Sequence, residues 1–172
     1  MTDVEKGKTC DATIQVSVKG ESWGDIGIKF LPDVAPNHVN NMIKLAQEKF
    51  YDGTTFHRVI PGFMIQGGDP NTKSSDRSTH GFGGPKHRIA AEFNNTPHKR
   101  GVVSMARSAD PNSAGSQFFI CVADAPHLNG QYTAFGEVIS GMETVDRIVQ
   151  VKRDDRDNPI DRVEMKIEVT GV

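Results

Sequence analysis

Cysteine is scarce in this chain. Cys10 and Cys121 are the only two in 172 residues, and no CxxC pattern occurs. A disulfide-rich scaffold and a four-cysteine metal cluster are therefore excluded. A single bridge would require the fold to join two distant positions, and Cys121, inside FFICVA, reads better as a small buried hydrophobe. The six histidines (38, 57, 80, 87, 98 and 127) show neither HxxxH nor HExxH spacing, so no metal site is expected. There is no GxSxG elbow. The glycines of HGFGGP (80–85) follow no apolar strand and precede no GK[ST], which leaves them a flexible loop and not a phosphate cradle. No stretch approaches the roughly 18 apolar residues of a membrane span, and the N-terminal MTDVEKGKTCDATIQV is charged, without an apolar run of signal-peptide length. Charge of one sign is never concentrated: 20 Lys and Arg are interspersed with 22 Asp and Glu, for a net charge of −2. Neither nucleic acid nor a membrane surface is an expected partner. A soluble, cytoplasmic, monomeric protein without a cofactor is the expectation.

The length suits one domain, taken as 1–172, and allows a substantial core. ATIQVSV (12–18) and DIGIKFL (25–31) alternate apolar and polar residues around a turn at Gly20, which predicts a β-hairpin. The period then changes. After Ala35-Pro36, the residues Val39, Met42, Ile43, Ala46 and Phe50 recur at helical spacing, until Tyr51-Asp52-Gly53 stops the run. Strands are predicted at 54–60, 63–68, 102–106, 116–123, 134–139 and 163–169, and a short helix around Met142, Val145, Ile148 and Val149. Between Asp69 and Glu92 lies a long Gly- and Ser-rich segment, too polar for core and of a length that is usually functional or disordered. About eight strands with only two helices cannot build a doubly wound sheet, since the crossover helices are missing. An all-β fold, a closed eight-stranded antiparallel barrel with a helix over each open end, satisfies the count and removes the sheet edges.

One residue stands out against this background. Arg58 sits in FHRVIPGFMIQGGD, the most apolar and glycine-punctuated part of the chain, with no carboxylate after it until Asp69. Arginine stays protonated in proteins, so it offers donors and no base. Period-two alternation puts it on one strand face with Phe56 and Ile60, puts Met64 with Gln66 in the next strand, and Gln117 with Phe119 and Cys121 in a third. If these faces meet, they form an apolar floor with an arginine and two neutral amides, a site able to grip a peptide and act on it electrostatically. The structural alternative is an ion pair from Arg58 to Asp69 or Glu92, with Phe63, Met64 and Phe119 as ordinary core.

FHRVIPGFMIQGGD, the following SMARSADPNSAGSQFFICVADAPHLNGQYTAFGEVISGMETVDRI and the earlier PNHVNNMIKLAQEKFYDGTTFHRVI resemble the cyclophilin family of peptidyl-prolyl cis/trans isomerases, from about Asp11 to Gly171. The resemblance implies the barrel with two capping helices. It implies an enzyme that accelerates rotation about X-Pro bonds and assists protein folding, with proline-containing peptides and unfolded or folding proteins as partners. Residue by residue it makes Arg58 the main catalytic group, with Gln66 supporting it and Phe63 beside it. Phe63, Met64, Phe119 and Leu128 look like the proline pocket, and Ala106, Arg107 and Gln117 like peptide contacts; His57 takes a supporting, structural role. His127 stands where many members have Trp and Tyr132 where many have His, while SMARSADPN, the start of SMARSADPNS, is one residue longer than the SMANAGPN form, which leaves the equivalences at Ser108 and Ala109 open. These departures look bacterial, and the change at His127 implies weak cyclosporin binding. They leave the arginine and the apolar floor intact.

Overall fold

The computed structural model describes residues 10–170, so most of the charged N-terminal stretch, and Gly171 at the end of the expected core, lie outside the described residues. Lys19 and Gly20, with φ of 52° and 79°, form the two-residue turn that joins strand β1 (Ala12–Val18) to β2 (Glu21–Phe30). Left-handed dihedrals at both central positions match the twist of the flanking strands. The hairpin is therefore tighter than its sequence suggests, and β2 begins at Glu21, ahead of the alternating stretch.

Helix α1 (Pro36–Gln47) starts with Pro36 in its first turn, as expected. It stops sooner than its apolar period. Lys49 takes φ 59°, its N–H donates to Ala46 O at 3.0 Å, and the N–H of Phe50 donates to Leu45 O at 2.9 Å. This 5→2 and 6→1 pair is a Schellman motif with lysine at the position glycine usually fills.

Strands β3 (Phe56–Ile60), β4 (Met64–Gly67), β5 (Val102–Met105), β6 (Phe118–Cys121), β7 (Ala134–Ser140) and β8 (Val163–Val169) complete one antiparallel sheet, in the order β3-β4-β6-β5-β7-β2-β1-β8. Its two ends approach each other. Thr55 bridges Glu164, Met165 N–H donates to Thr54 O at 2.9 Å, and Gly53 N–H donates to Met165 O at 3.0 Å. The barrel is thereby nearly closed along a short seam, and its edges are covered. Inside lie Ile14, Ile28, Phe56, Ile65, Phe118 and Phe135, all with no exposed surface. Helix α1 adds Met42 and Leu45 where it packs on β7 and β8. A second helix, α2 (Met142–Val149), adds Val145 and Ile148 against β2, β3 and β4.

The 69–92 segment is more ordered than its composition suggests. It contains two 3₁₀ turns, Pro70–Lys73 and Arg77–Thr79, whose first N–H groups are capped by the Asp69 and Asp76 carboxylates. Asp69, Thr72 and His80 are buried, against the expectation that nothing here joins the interior. They are tolerated because they are bonded. Thr72 Oγ1 donates to Asp69 O at 2.6 Å and accepts from Thr55 N–H at 2.9 Å; His80 Nε2 lies 2.8 Å from Ser74 O and Nδ1 lies 3.0 Å from Asn158 Nδ2.

Candidate active site

The expected alternation fails at one point in β3. Phe56 pairs with Gly67, but Arg58 pairs with Gln66, so His57 is an extra residue with no partner of its own. A β-bulge of this kind turns the strand over. Phe56 and Val59 face the barrel interior, whereas Arg58 is exposed on the outer face and Ile60 lies beside it there. Arg58 therefore does not share a face with Phe56, because strict period two cannot count a bulge. His57 itself is buried. Its Nδ1 has no hydrogen-bond partner among the described residues, and burial pushes its pKa down to about 4 despite the Asp69 carboxylate nearby. The ring is therefore neutral near pH 7.

On the outer face the register aligns a row across four strands. Arg58 lies opposite Gln66, Gln66 opposite Phe119 and Phe119 opposite Ser104. Beside that row, Ile60 is opposite Met64 and Met64 opposite Cys121. Met64, Phe119, Cys121, Ala125 and Leu128 form a buried apolar cluster separate from the barrel core, with Phe63 and Tyr132 packed on it. Above this floor opens a cavity of about 390 Å³ lined by ten residues, among them Arg58, Phe63, Met64, Gln66, Phe119 and Leu128. Ala106, Arg107, His127 and Tyr132 complete the lining. Of the expected site residues, His57, Ser108 and Gln117 fall outside it. His57 lines a neighbouring cavity beyond Arg58, while Ser108 and Gln117 line another of about 630 Å³.

The amides are held in a chain. Arg58 Nη1 donates to Gln66 Oε1 at 3.3 Å, Gln66 Nε2 donates to Gln117 Oε1 at 3.0 Å, and Gln117 Nε2 donates to the carbonyls of Gly81 at 3.0 Å and Gly83 at 2.9 Å. Those carbonyls accept only N–H donors, which fixes the Gln117 amide, then the Gln66 amide, and so presents Oε1 to the guanidinium. Neither carboxylate of the structural alternative reaches Arg58. Asp69 accepts from the N–H groups of Asn71 and Gly81, and Glu92 accepts from His38 and Asn37. The other Arg58 donors have no hydrogen-bond partner among the described residues. The arginine is exposed, so the dry surroundings expected for it require a peptide lying over the site.

Arg107 is a wall and not a free donor. Its Nε and Nη2 donate to Gln131 O at 3.0 and 2.7 Å, and its guanidinium stacks 4.7 Å from the Tyr132 ring. The two departures from the common family pattern pack in. The His127 ring sits 5.7 Å from Phe63, and Tyr132 meets Phe119 edge-on at 5.7 Å. Sequence reasoning missed the layer behind Phe119. His98 stacks on that ring at 6.1 Å, with Nε2 2.8 Å from Ser104 Oγ and Nδ1 3.2 Å from Asn129 Oδ1. No local motif marks these three residues as partners. Burial pushes the Cys121 thiol up to about 12, and neither thiol is bridged, Cys10 lying instead against Ser140.

Comparison with known proteins agrees with this fold. The family described as "Cyclophilin type peptidyl-prolyl cis-trans isomerase/CLD" matches residues 13–171. A probable peptidyl-prolyl cis-trans isomerase of Brucella abortus is 51% identical over 130 residues, 73% of this chain, and the chain spans 66% of that protein's length. A peptidyl-prolyl cis-trans isomerase of Synechococcus elongatus is 47% identical over 137 residues, covering 75% of this chain and 89% of that one. The crystal structure of a Cryptosporidium parvum cyclophilin type isomerase, determined in the presence of the dipeptide Ala-Pro, superposes with a TM-score of 0.82 at 32% identity over 92% of this chain and 98% of that one. The chain belongs to the cyclophilin-type peptidyl-prolyl cis-trans isomerase family.

Proposed function

We propose that this chain catalyses cis/trans rotation about X-Pro bonds in peptides and in unfolded or folding proteins, with Arg58 as the catalytic donor and the Met64–Phe119 floor as the proline seat. One observation carries the reading: the cavity joins an apolar floor to a guanidinium held by a fixed amide, and among the described residues no carboxylate, lysine, serine or cysteine lines it. That donor set fits a reaction in which no covalent bond is made or broken. The X-Pro barrier of about 20 kcal/mol comes from amide resonance. In the twisted transition state the prolyl nitrogen lone pair is localised and accepts a hydrogen bond that neither planar isomer can accept.

Phe63, Met64, Phe119 and Leu128 hold the proline ring while the acyl side turns, and Gln66 keeps the guanidinium aimed. The peptide itself excludes water from the exposed Arg58, which strengthens the donor when it is needed. Lowering the barrier by about 5–7 kcal/mol would give roughly 10⁴–10⁵-fold acceleration. Cyclosporin should bind weakly, since His127 supplies a smaller surface than tryptophan at that position.

Exchange NMR on a short Ala-Pro-Phe peptide, with catalytic amounts of wild type and of Arg58→Ala, tests the reading. Acceleration that is largely lost in a folded variant supports it. Peptide binding without acceleration would make the chain a proline-docking module, and full activity in Arg58→Ala would remove the mechanism.

A further inference from the structure

A second cavity, of about 450 Å³, lies on the far side of Arg58 and shares Arg58 and Gln66 with the proline site. Its other walls come from His57, from the 77–82 loop and from the 154–158 turn, the last two joined by the His80–Asn158 bond. Its charge is unbalanced. Arg58, Arg77 and Arg156 line it against one carboxylate, Asp154, and that carboxylate is engaged by Arg77 at 2.9 Å. Arg77 Nη2 also donates to the carbonyls of Asn158 and Pro159, so Arg77 is committed to structure.

The other two guanidinium groups are not. Arg58 gives one donor to Gln66. Arg156 is exposed, has no carboxylate partner among the described residues, and lies 6.0 Å from the ring of Phe82, itself 79% exposed. Of the neighbouring acids, Asp157 pairs with Arg153 at 3.0 Å and Asp76 caps Ser78, while Asp155, exposed beside Arg156 in sequence, does not line the cavity. His80 also lines the cavity, with Nε2 hydrogen-bonded to Ser74 O and Nδ1 to Asn158 Nδ2. Among the described residues the cavity thus holds two guanidinium groups without a carboxylate partner, in a chain whose net charge is −2.

We propose that this cavity is an anion subsite of the isomerase, in which Arg156 and Arg58 receive the carboxylate of a Glu or Asp side chain within two residues of the substrate proline. The inference rests on the isomerase reading for its substrate and adds a preference to it. Because Arg58 and Gln66 line both cavities, a side chain close in sequence to the proline reaches the second while the ring occupies the first. A planar guanidinium suits a carboxylate, and the Phe82 ring lies beside that of Arg156. The overall charge of the protein would disfavour an acidic peptide, so a preference for one has to arise locally.

The test uses end-blocked Ala-Pro peptides with Glu or Gln at each of the two positions before and after the X-Pro pair, at fixed ionic strength. At one of these positions the Glu peptide should have a roughly three- to tenfold higher kcat/KM than its Gln partner, carried by KM, as expected for a partly exposed charge pair. Arg156→Gln should bring that ratio close to one. Affinities of the same pairs, from NMR titration, read the preference independently of turnover. Equal behaviour of Glu and Gln at every position, or a ratio that survives Arg156→Gln, overturns the subsite. Loss of acceleration for all peptides with the Glu preference intact in affinity would instead overturn the isomerase reading and leave the subsite standing.

Discussion

Strands β4 and β6 are apolar on both faces, and the two faces behave differently. Inward, Ile65, Phe118 and Ile120 join a core closed on every side by the barrel. Outward, Met64, Phe119 and Cys121 are almost as well buried, yet what covers them is a ring of loop residues that leaves a cavity. An antiparallel sheet needs one apolar face to fold and ordinarily gives the other to water. The second apolar face is thus surplus to the barrel, and its surplus is what a proline ring can use. Depth of burial does not separate the two clusters; the closure around them does.

Four changes should sharpen that contrast. The largest is Phe118→Ala, which opens a void inside the closed core and should cost about 3–5 kcal/mol in urea unfolding, with kcat/KM per folded molecule little altered. Acid comes next. A histidine whose folded pKa is depressed from 6.5 to about 4 leaves the unfolded chain to bind the proton first. The His57 contribution is therefore whole above pH 6.5 and is lost as pH falls through the window down to about 4, amounting to about 3 kcal/mol. Burial lowers the His38 and His98 pKa values as well, with the same sign. Unfolding curves at pH 7 and 4.5 should show a clearly smaller acid loss in His57→Gln than in wild type; equal losses would place the sensitivity elsewhere.

Phe119→Ala reverses the pattern of Phe118→Ala. Its void opens to the cavity and admits water, so the stability loss should be only about 1–2 kcal/mol, while kcat/KM falls roughly 10- to 100-fold. A Phe119 variant as unstable as the Phe118 one, with normal turnover, would erase the distinction between the faces. The smallest effect is far from both. Lys49→Gly relieves a left-handed residue at the end of α1 and should raise stability by about 0.5–1 kcal/mol with no change in activity.

The barrel was largely legible because its strands obey period two and its first helix opens with a proline in a favourable place. What was not legible depends on contacts between distant segments. The early stop of α1 at Lys49 is set by backbone hydrogen bonds that any residue can make, so Tyr51-Asp52-Gly53 looked like the better terminus. The order of the 69–92 segment comes from buried polar side chains bonded across the fold, and polarity alone reads as solvent exposure. Within the site, the apolar floor, Arg58 and the two amides could be named from alternation and family likeness. The Gly81 and Gly83 carbonyls that hold Gln117, and the His98–Ser104 pair behind Phe119, carry no such pattern. Their partnership exists only once the strands are in register.

The bulge at His57 gives β3 two frames, one for each side of a single inserted position. Before it, Thr55 bridges β8 and Phe56 pairs with Gly67 of β4; after it, Arg58 resumes the β4 ladder at Gln66. Were His57 paired in the ladder like its neighbours, strict alternation would put Phe56 and Arg58 on one face and send either Phe56 out of the core or Arg58 into it. Whether this arginine meets solvent or hydrocarbon is therefore decided by arithmetic along the strand, before any property of the arginine itself comes into play.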